Sequence, residues 1–142
     1  MRLQDFKALT FDCYGTLIDW ETGITEGLTP LTSRVGRALT RDEILAAHAR
    51  HESAQQSQTP AKRYSELLPI VYRRLAEEWK VPVTWQECLA YGQSVKNWPA
   101  FRDSAEALQY LKRHYKLVIL SNVDNESFSA SNEKLQVQFD AI

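Results

Sequence analysis

The chain has 142 residues, 44% of them hydrophobic and 25% charged, a composition typical of a globular protein. Its 17 basic and 18 acidic residues give a formal net charge of -1, which argues against nucleic acid or an anionic membrane surface as the main partner. The longest apolar run is far too short to span a bilayer, and two cysteines without metal-ligand spacing favour a reducing, cytoplasmic location.

Two short apolar runs predict strands that end at polar residues. The first, residues 7–12, ends at Asp12 and continues into a tight turn over residues 14–16. The second, residues 116–120, is followed by Ser121 and Asn122. Neighbouring parallel strands bring their carboxyl ends to one edge of a sheet. The sequence therefore predicts an α/β fold in which these polar side chains share a site.

The region between the two strands is predicted to be helical. Capping-box signatures or helical spacing of apolar residues mark four helix starts, at Thr40, Ser65, Thr84 and Asp103. Residues 52–61 are polar, rich in Gln and Ser, and are interpreted as a mobile connection. Because the whole stretch is much longer than a crossover between parallel strands needs, we expect an inserted helical subdomain.

Asp12 is the first candidate for chemistry. A carboxylate is anionic at neutral pH and can act as an oxygen nucleophile that forms an ester intermediate. The Thr16 hydroxyl could orient it, and backbone N–H groups of the turn could bind an anionic group. The alternative is that Asp12 caps a turn and Gly15 supplies only the turn geometry, which is the commoner origin of so short a motif.

The longer sequence context resembles a known family. The string Phe11-Asp12-Cys13-Tyr14-Gly15-Thr16-Leu17-Ile18-Asp19 and the string Val118-Ile119-Leu120-Ser121-Asn122 resemble the first two motifs of the haloacid dehalogenase (HAD) superfamily. Tyr14 stands where phosphatases of the superfamily carry a second Asp as general acid. A halide leaving group needs no proton, and L-2-haloacid dehalogenases carry Tyr there. The segment Trp98-Pro99-Ala100-Phe101-Arg102-Asp103 also looks like that branch.

The resemblance implies a HAD-like Rossmannoid parallel sheet with an inserted α-helical cap. By this reading residues 1–18 form the first part of the core, with the nucleophile loop. Residues 19–99 form the cap, and residues 100–142 return to the core. The superfamily's later lysine and acidic motifs have no match here, so we expect the chain to be the N-terminal part of a longer hydrolase.

The resemblance also implies the reaction, which is hydrolytic dehalogenation of a small 2-haloacid through an aspartyl ester at Asp12, oriented by Thr16. The substrate, a small anion, would be bound by Cys13, Tyr14, Ser121 and Asn122. An arginine on the first cap helix would contact the halide. We assign that role to Arg50, with Arg41 as the alternative. No cofactor or metal is expected, and His48 and His51 lack a third ligand.

Purely structural roles remain alternatives for several of these residues. Ser121 and Asn122 form a common turn pair, and an exposed helical arginine is most often a solvated surface group. Two other functions are also open. The first is a magnesium-dependent HAD phosphatase, and the second is a non-catalytic assembly module. Homodimerisation through the helix at residues 65–79 is a further expectation from the resemblance.

Overall fold

The computed structural model describes residues 1–142 as a mixed α/β structure. Two strands and seven α-helices follow one another along the chain. In order they are β1 (Ala8–Phe11), α1 (Trp20–Gly27), α2 (Thr29–Thr32), α3 (Arg41–Gln58), α4 (Tyr64–Glu78), α5 (Trp85–Gly92), α6 (Ser104–Lys112), β2 (Lys116–Ile119) and α7 (Asn125–Leu135). Short 3₁₀ turns occupy Leu3–Asp5 and Ser94–Asn97.

The two predicted strands form a parallel pair, as expected. Phe11 lies opposite Ile119, so both strands end at the same edge. On the other side of β2, Ala141 makes a parallel bridge with Val118, and the Ile119 N–H donates to the Ala141 carbonyl at 3.0 Å. β2 therefore lies between β1 and a third extended segment.

Helix α3 begins where the sequence predicts but runs further. The Thr40 hydroxyl accepts from the Glu43 N–H, and the Glu43 carboxylate accepts from the Thr40 N–H, which completes the predicted capping box. The helix continues to Gln58, so the interpretation of residues 52–61 as a connection is wrong for residues 52–58. No Gly or Pro occurs between Arg41 and Thr59, and Pro60 disfavours helix at the residue that precedes it.

Helices α3, α4 and α5 pack side by side. Helix α4 is amphipathic, and one of its faces supplies much of the buried core through Leu67, Leu68, Val71, Tyr72, Leu75 and Ala76. Helix α5 faces it with Cys88 and Tyr91, whose ring lies 5.2 Å from that of Tyr72. This layer fixes the position of α3 because α3 contacts α4 along its length.

Two segments connect the sheet to helices α1–α5, one at the entry and one at the exit of this helical region. The two connecting segments form hydrogen bonds with each other. Ile18 and Ala100 form an antiparallel bridge. The Asp19 N–H donates to the Pro99 carbonyl at 2.8 Å, and the Phe101 N–H donates to the Leu17 carbonyl at 3.0 Å. We call residues 17–19 and 99–101 the crossing ribbon. The predicted boundaries at 18/19 and 99/100 fall inside it, and the role of α1–α5 as a cap stays a prediction.

Helices α1, α2 and α7 were not indicated by the sequence patterns. Helix α7 begins at the N-cap Asp124, whose carboxylate accepts from the Ser127 N–H at 2.9 Å, and it buries Phe128 and Leu135. No helix in the structure combines the length and the apolar character needed to cross a membrane.

Gly23 of α1 packs against the indole of Trp98 beside the crossing ribbon. A Cβ at this position would lie 2.3 Å from Trp98 Cγ, and Trp98 is only 3% exposed. We expect Gly23→Ala to lower the free energy of unfolding by about 1–3 kcal/mol, although alanine favours helix by about 1 kcal/mol. Urea unfolding measures the change. In the matched control Gly36→Ala the new Cβ meets no atom within 4 Å. Equal stability of the two variants would contradict this packing.

Candidate active site

A cavity of about 430 Å³ opens at the carboxyl ends of β1 and β2. Asp12 directly follows β1, and Ser121 and Asn122 follow β2 after one residue. All three line the cavity. Tyr14 lines it too, so four of the predicted site residues come together. The parallel pairing of the strands explains this convergence of residues that are far apart in sequence.

Asp12 presents its carboxylate to the cavity from an exposed loop position. The Thr16 hydroxyl donates to Asp12 Oδ2 at 3.3 Å, and no hydrogen bond within the chain engages Oδ1. Thr16 is not part of the cavity wall, so any effect that it has on a ligand passes through Asp12. The turn between them requires Gly15, whose φ of 94° suits glycine.

The Cys13 side chain does not reach the cavity, so the predicted role of Cys13 in substrate binding would depend on its backbone. Cys13 is 0% exposed and belongs to the hydrophobic core. Burial, followed by the charge of Asp12, raises the pKa of the thiol to about 12, so the thiol stays protonated. Successive side chains of an extended segment point in opposite directions, and Asp12 takes the outward one. No hydrogen bond within the chain uses the backbone N–H of Cys13 or Tyr14, which leaves two donors in the turn.

Tyr14 places a neutral phenol in the cavity. Burial raises its pKa from 10.0 to about 12. The hydrogen bond with Ser131 opposes this shift, and the charges of Cys13 and Asp124 add to it. The Tyr14 hydroxyl lies 3.0 Å from Ser131 Oγ, which ties the loop after β1 to α7. A phenol with so high a pKa is a weak acid at neutral pH.

Aromatic side chains form the apolar part of the cavity wall. Trp20 and Trp98, which flank the two passages of the chain, both line it, as does Tyr64 of α4. The Trp98 ring makes edge contacts with Tyr14 at 5.7 Å and with Tyr64 at 6.2 Å between centroids. An apolar wall next to a few polar groups is the usual composition of a small-molecule site.

Helix α3 supplies a polar wall that the sequence analysis missed. Its contributions are His48, Ala49, Glu52, Ser53 and Gln56. The i, i+4, i+8 spacing of His48, Glu52 and Gln56 puts them on one helical face. That signal was overlooked because the second half of the helix was interpreted as a connection.

The structure does not bring Arg50 to the cavity. Arg50 lies on α3 but is exposed and pairs with Glu78 of α4. Because each helical residue turns by about 100°, Arg50 points away from the face that carries Glu52. The alternative, Arg41, pairs with Glu21 at 3.5 Å and also lies outside the cavity. The cavity wall contains no arginine or lysine.

Comparison of the sequence with models of protein families gives the same family as the two strand-end motifs. The family model for haloacid dehalogenase-like hydrolases matches residues 6–136. No curated protein matches the chain.

Solved structures resemble this chain in fold. An L-2-haloacid dehalogenase superposes with a TM-score of 0.75 at 20% identity, over 96% of this chain and 60% of that one. An L-2-haloacid dehalogenase from Xanthobacter autotrophicus with chloropropionic acid covalently bound superposes with a TM-score of 0.71 at 19% identity, over 96% of this chain and 55% of that one. The putative HAD-hydrolase YfnB from Bacillus subtilis bound to magnesium superposes with a TM-score of 0.71 at 15% identity, over 96% of this chain and 64% of that one. The chain thus spans about 60% of the first structure's length. The predicted HAD-like α/β fold is confirmed.

The raised pKa of Tyr14 predicts a specific titration. An ordinary tyrosine is half ionised near pH 10, whereas Tyr14 should stay protonated until about pH 12. We expect wild type and Tyr14→Phe to form equal amounts of phenolate up to about pH 11, as measured by ultraviolet absorbance. A difference between them centred near pH 10 would show that Tyr14 is solvated in the folded protein.

Proposed function

The chain belongs to the haloacid dehalogenase-like hydrolases, and we propose that it supplies the nucleophile and substrate pocket for hydrolysis of the carbon–halogen bond of a small 2-haloacid. The observation that carries this proposal is the placement of Asp12. Its carboxylate lines a cavity together with Tyr14, Ser121 and Asn122, and Oδ1 is free while Thr16 holds Oδ2.

In the first step Asp12 Oδ1 attacks the carbon that carries the halogen. A carbon–oxygen bond forms as the carbon–halogen bond breaks, and the bonding electrons leave with the halide. No oxyanion develops on an alkyl carbon, so catalysis depends on alignment and on stabilisation of the halide. The Asn122 amide can donate to the halide. Ser121 Oγ accepts the Val123 N–H at 3.4 Å, which leaves its O–H free to donate to the substrate carboxylate.

In the second step water attacks the carbonyl carbon of the Asp12 ester. The products are a 2-hydroxy acid and a regenerated carboxylate. In sum, one water is consumed and one halide and one proton are released, so the cycle needs no cofactor. Helices α1–α5 would act as a cap whose closure excludes bulk water from the ester.

Tyr14 supports halide over alkoxide as the leaving group. An alcohol must receive a proton as it leaves, and the raised pKa of Tyr14 makes it a poor donor. The residues present also fit magnesium poorly, because no three His, Cys, Asp or Glu side chains of the chain come together. These two observations favour the dehalogenase over the phosphatase alternative, which the fold similarity to a magnesium-bound HAD-hydrolase supports. Covalent binding of chloropropionic acid in a solved relative supports a covalent step in the proposed reaction.

The nucleophile assignment predicts that Asp12→Asn lowers halide release from 2-chloropropionate at least about a thousandfold, because no second group can replace the attacking oxygen. Chloride assays measure the rate, and circular dichroism checks the fold. The matched control is Asp42→Asn, an exposed acid in the first turn of α3, which should retain the wild-type rate. Wild-type activity in Asp12→Asn would rule out the mechanism. So would magnesium-dependent phosphate release by the wild type with no chloride release.

A further inference from the structure

Glu52 is a second carboxylate in the cavity, and the proposed mechanism does not use it. It lies on the α3 wall, and its side chain is 23% exposed. Its Oε2 is 3.2 Å from His48 Nδ1. Most of the surface of the Glu52 side chain is thus removed from bulk water, although the residue lines the cavity.

Two buried residues hold Glu52 in place. His48 is 1% exposed, and its Nε2 lies 2.9 Å from the Tyr91 hydroxyl. Tyr91 is 3% exposed. Burial, followed by the charge of Glu52, raises the pKa of Tyr91 well above its usual value, so the phenol keeps its proton. Tyr91 can then donate to Nε2 while the Nδ1–H donates to Glu52. In this arrangement the imidazole of His48 orients the Glu52 carboxylate through a hydrogen bond.

No lysine or arginine of the chain pairs with Glu52. The cavity wall has no lysine or arginine, and Arg50, the nearest arginine along α3, pairs with Glu78. The α3 wall of the cavity therefore carries a negative charge, whereas the sequence resemblance implies a positively charged arginine on this helix. Ser53 and Gln56, which line the cavity beside Glu52, add neutral hydrogen-bonding groups.

We propose that Glu52 binds a positively charged, hydrogen-bond-donating group on the substrate, so that the preferred substrate is a 2-haloacid whose side chain carries an ammonium group. The inference rests on the proposed function, in which Ser121 and Asn122 take the carboxylate end. An ammonium makes a charge-assisted bond with Glu52. An alkyl side chain there would remove water from the carboxylate without adding a hydrogen bond to the one from His48, which disfavours that substrate.

An isosteric pair of substrates tests the preference. In 3-amino-2-chloropropionate an ammonium replaces the terminal methyl of 2-chlorobutyrate. Chloride release should show kcat/KM at least about tenfold higher for the amino compound, as expected for one charged hydrogen bond. Glu52→Gln should bring the ratio close to one. Glu26→Gln, an exposed acid on α1 outside the cavity, should leave the ratio unchanged.

Binding of products separates this inference from the proposed reaction, because it needs no chemistry. Isoserine and 2-hydroxybutyrate are the corresponding product pair, and calorimetry gives their affinities. Tighter binding of isoserine by at least about tenfold, lost in Glu52→Gln and increased in Gln56→Glu, supports the inference even if neither chloroacid is hydrolysed. Equal or absent binding of the two products, or a preference that persists in Glu52→Gln, overturns it even if chloride is released.

Discussion

The site depends on the parallel register of two short strands. Because Phe11 lies opposite Ile119, the chain leaves both strands at the same edge. Asp12 on one side and Ser121 with Asn122 on the other then converge on one cavity. A parallel pair requires a long connection, and here that connection is the helical segment that supplies the remaining walls. The same pairing therefore places Asp12 and makes room for the helical residues that line the rest of the cavity.

The crossing ribbon converts this sheet edge into a pocket. Hydrogen bonds between Asp19 and Pro99 and between Phe101 and Leu17 hold the entry and exit of the helical segment together. Trp98, next to the ribbon, contacts the Tyr14 ring at its edge. The pocket therefore has two chemically different sides. The strand ends carry the Asp12 carboxylate and the neutral donors Ser121 and Asn122, whereas α3 carries the acid Glu52. A ligand that matches both sides needs an acceptor at one end and a donor at the other.

Local patterns predicted much of this arrangement. Both strands, the capping boxes at Thr40 and Thr84 and the polar residues after each strand follow from short-range sequence signals. Longer-range features did not follow. The direction of Arg50 does not follow from the sequence, because one residue of uncertainty in a helix turns a side chain by about 100°, and only packing against α4 sets that angle. The place of Glu52 does not follow either, because a polar stretch without apolar periodicity does not distinguish helix from loop. The motif around Asp12 does not show which group of Cys13 faces the cavity, whereas the alternation of side chains beside Asp12 points the thiol into the core.

The formation of an ester at Asp12 is the central claim, and isotope incorporation tests it most directly. The protein is allowed to turn over a 2-haloacid in water enriched in heavy oxygen, and the peptide that contains Asp12 is then examined by mass spectrometry. Attack of water on the ester carbonyl predicts heavy oxygen in the Asp12 carboxylate. Heavy oxygen in the 2-hydroxy acid from the first turnover, with an unlabelled Asp12, would show that water displaces the halide directly.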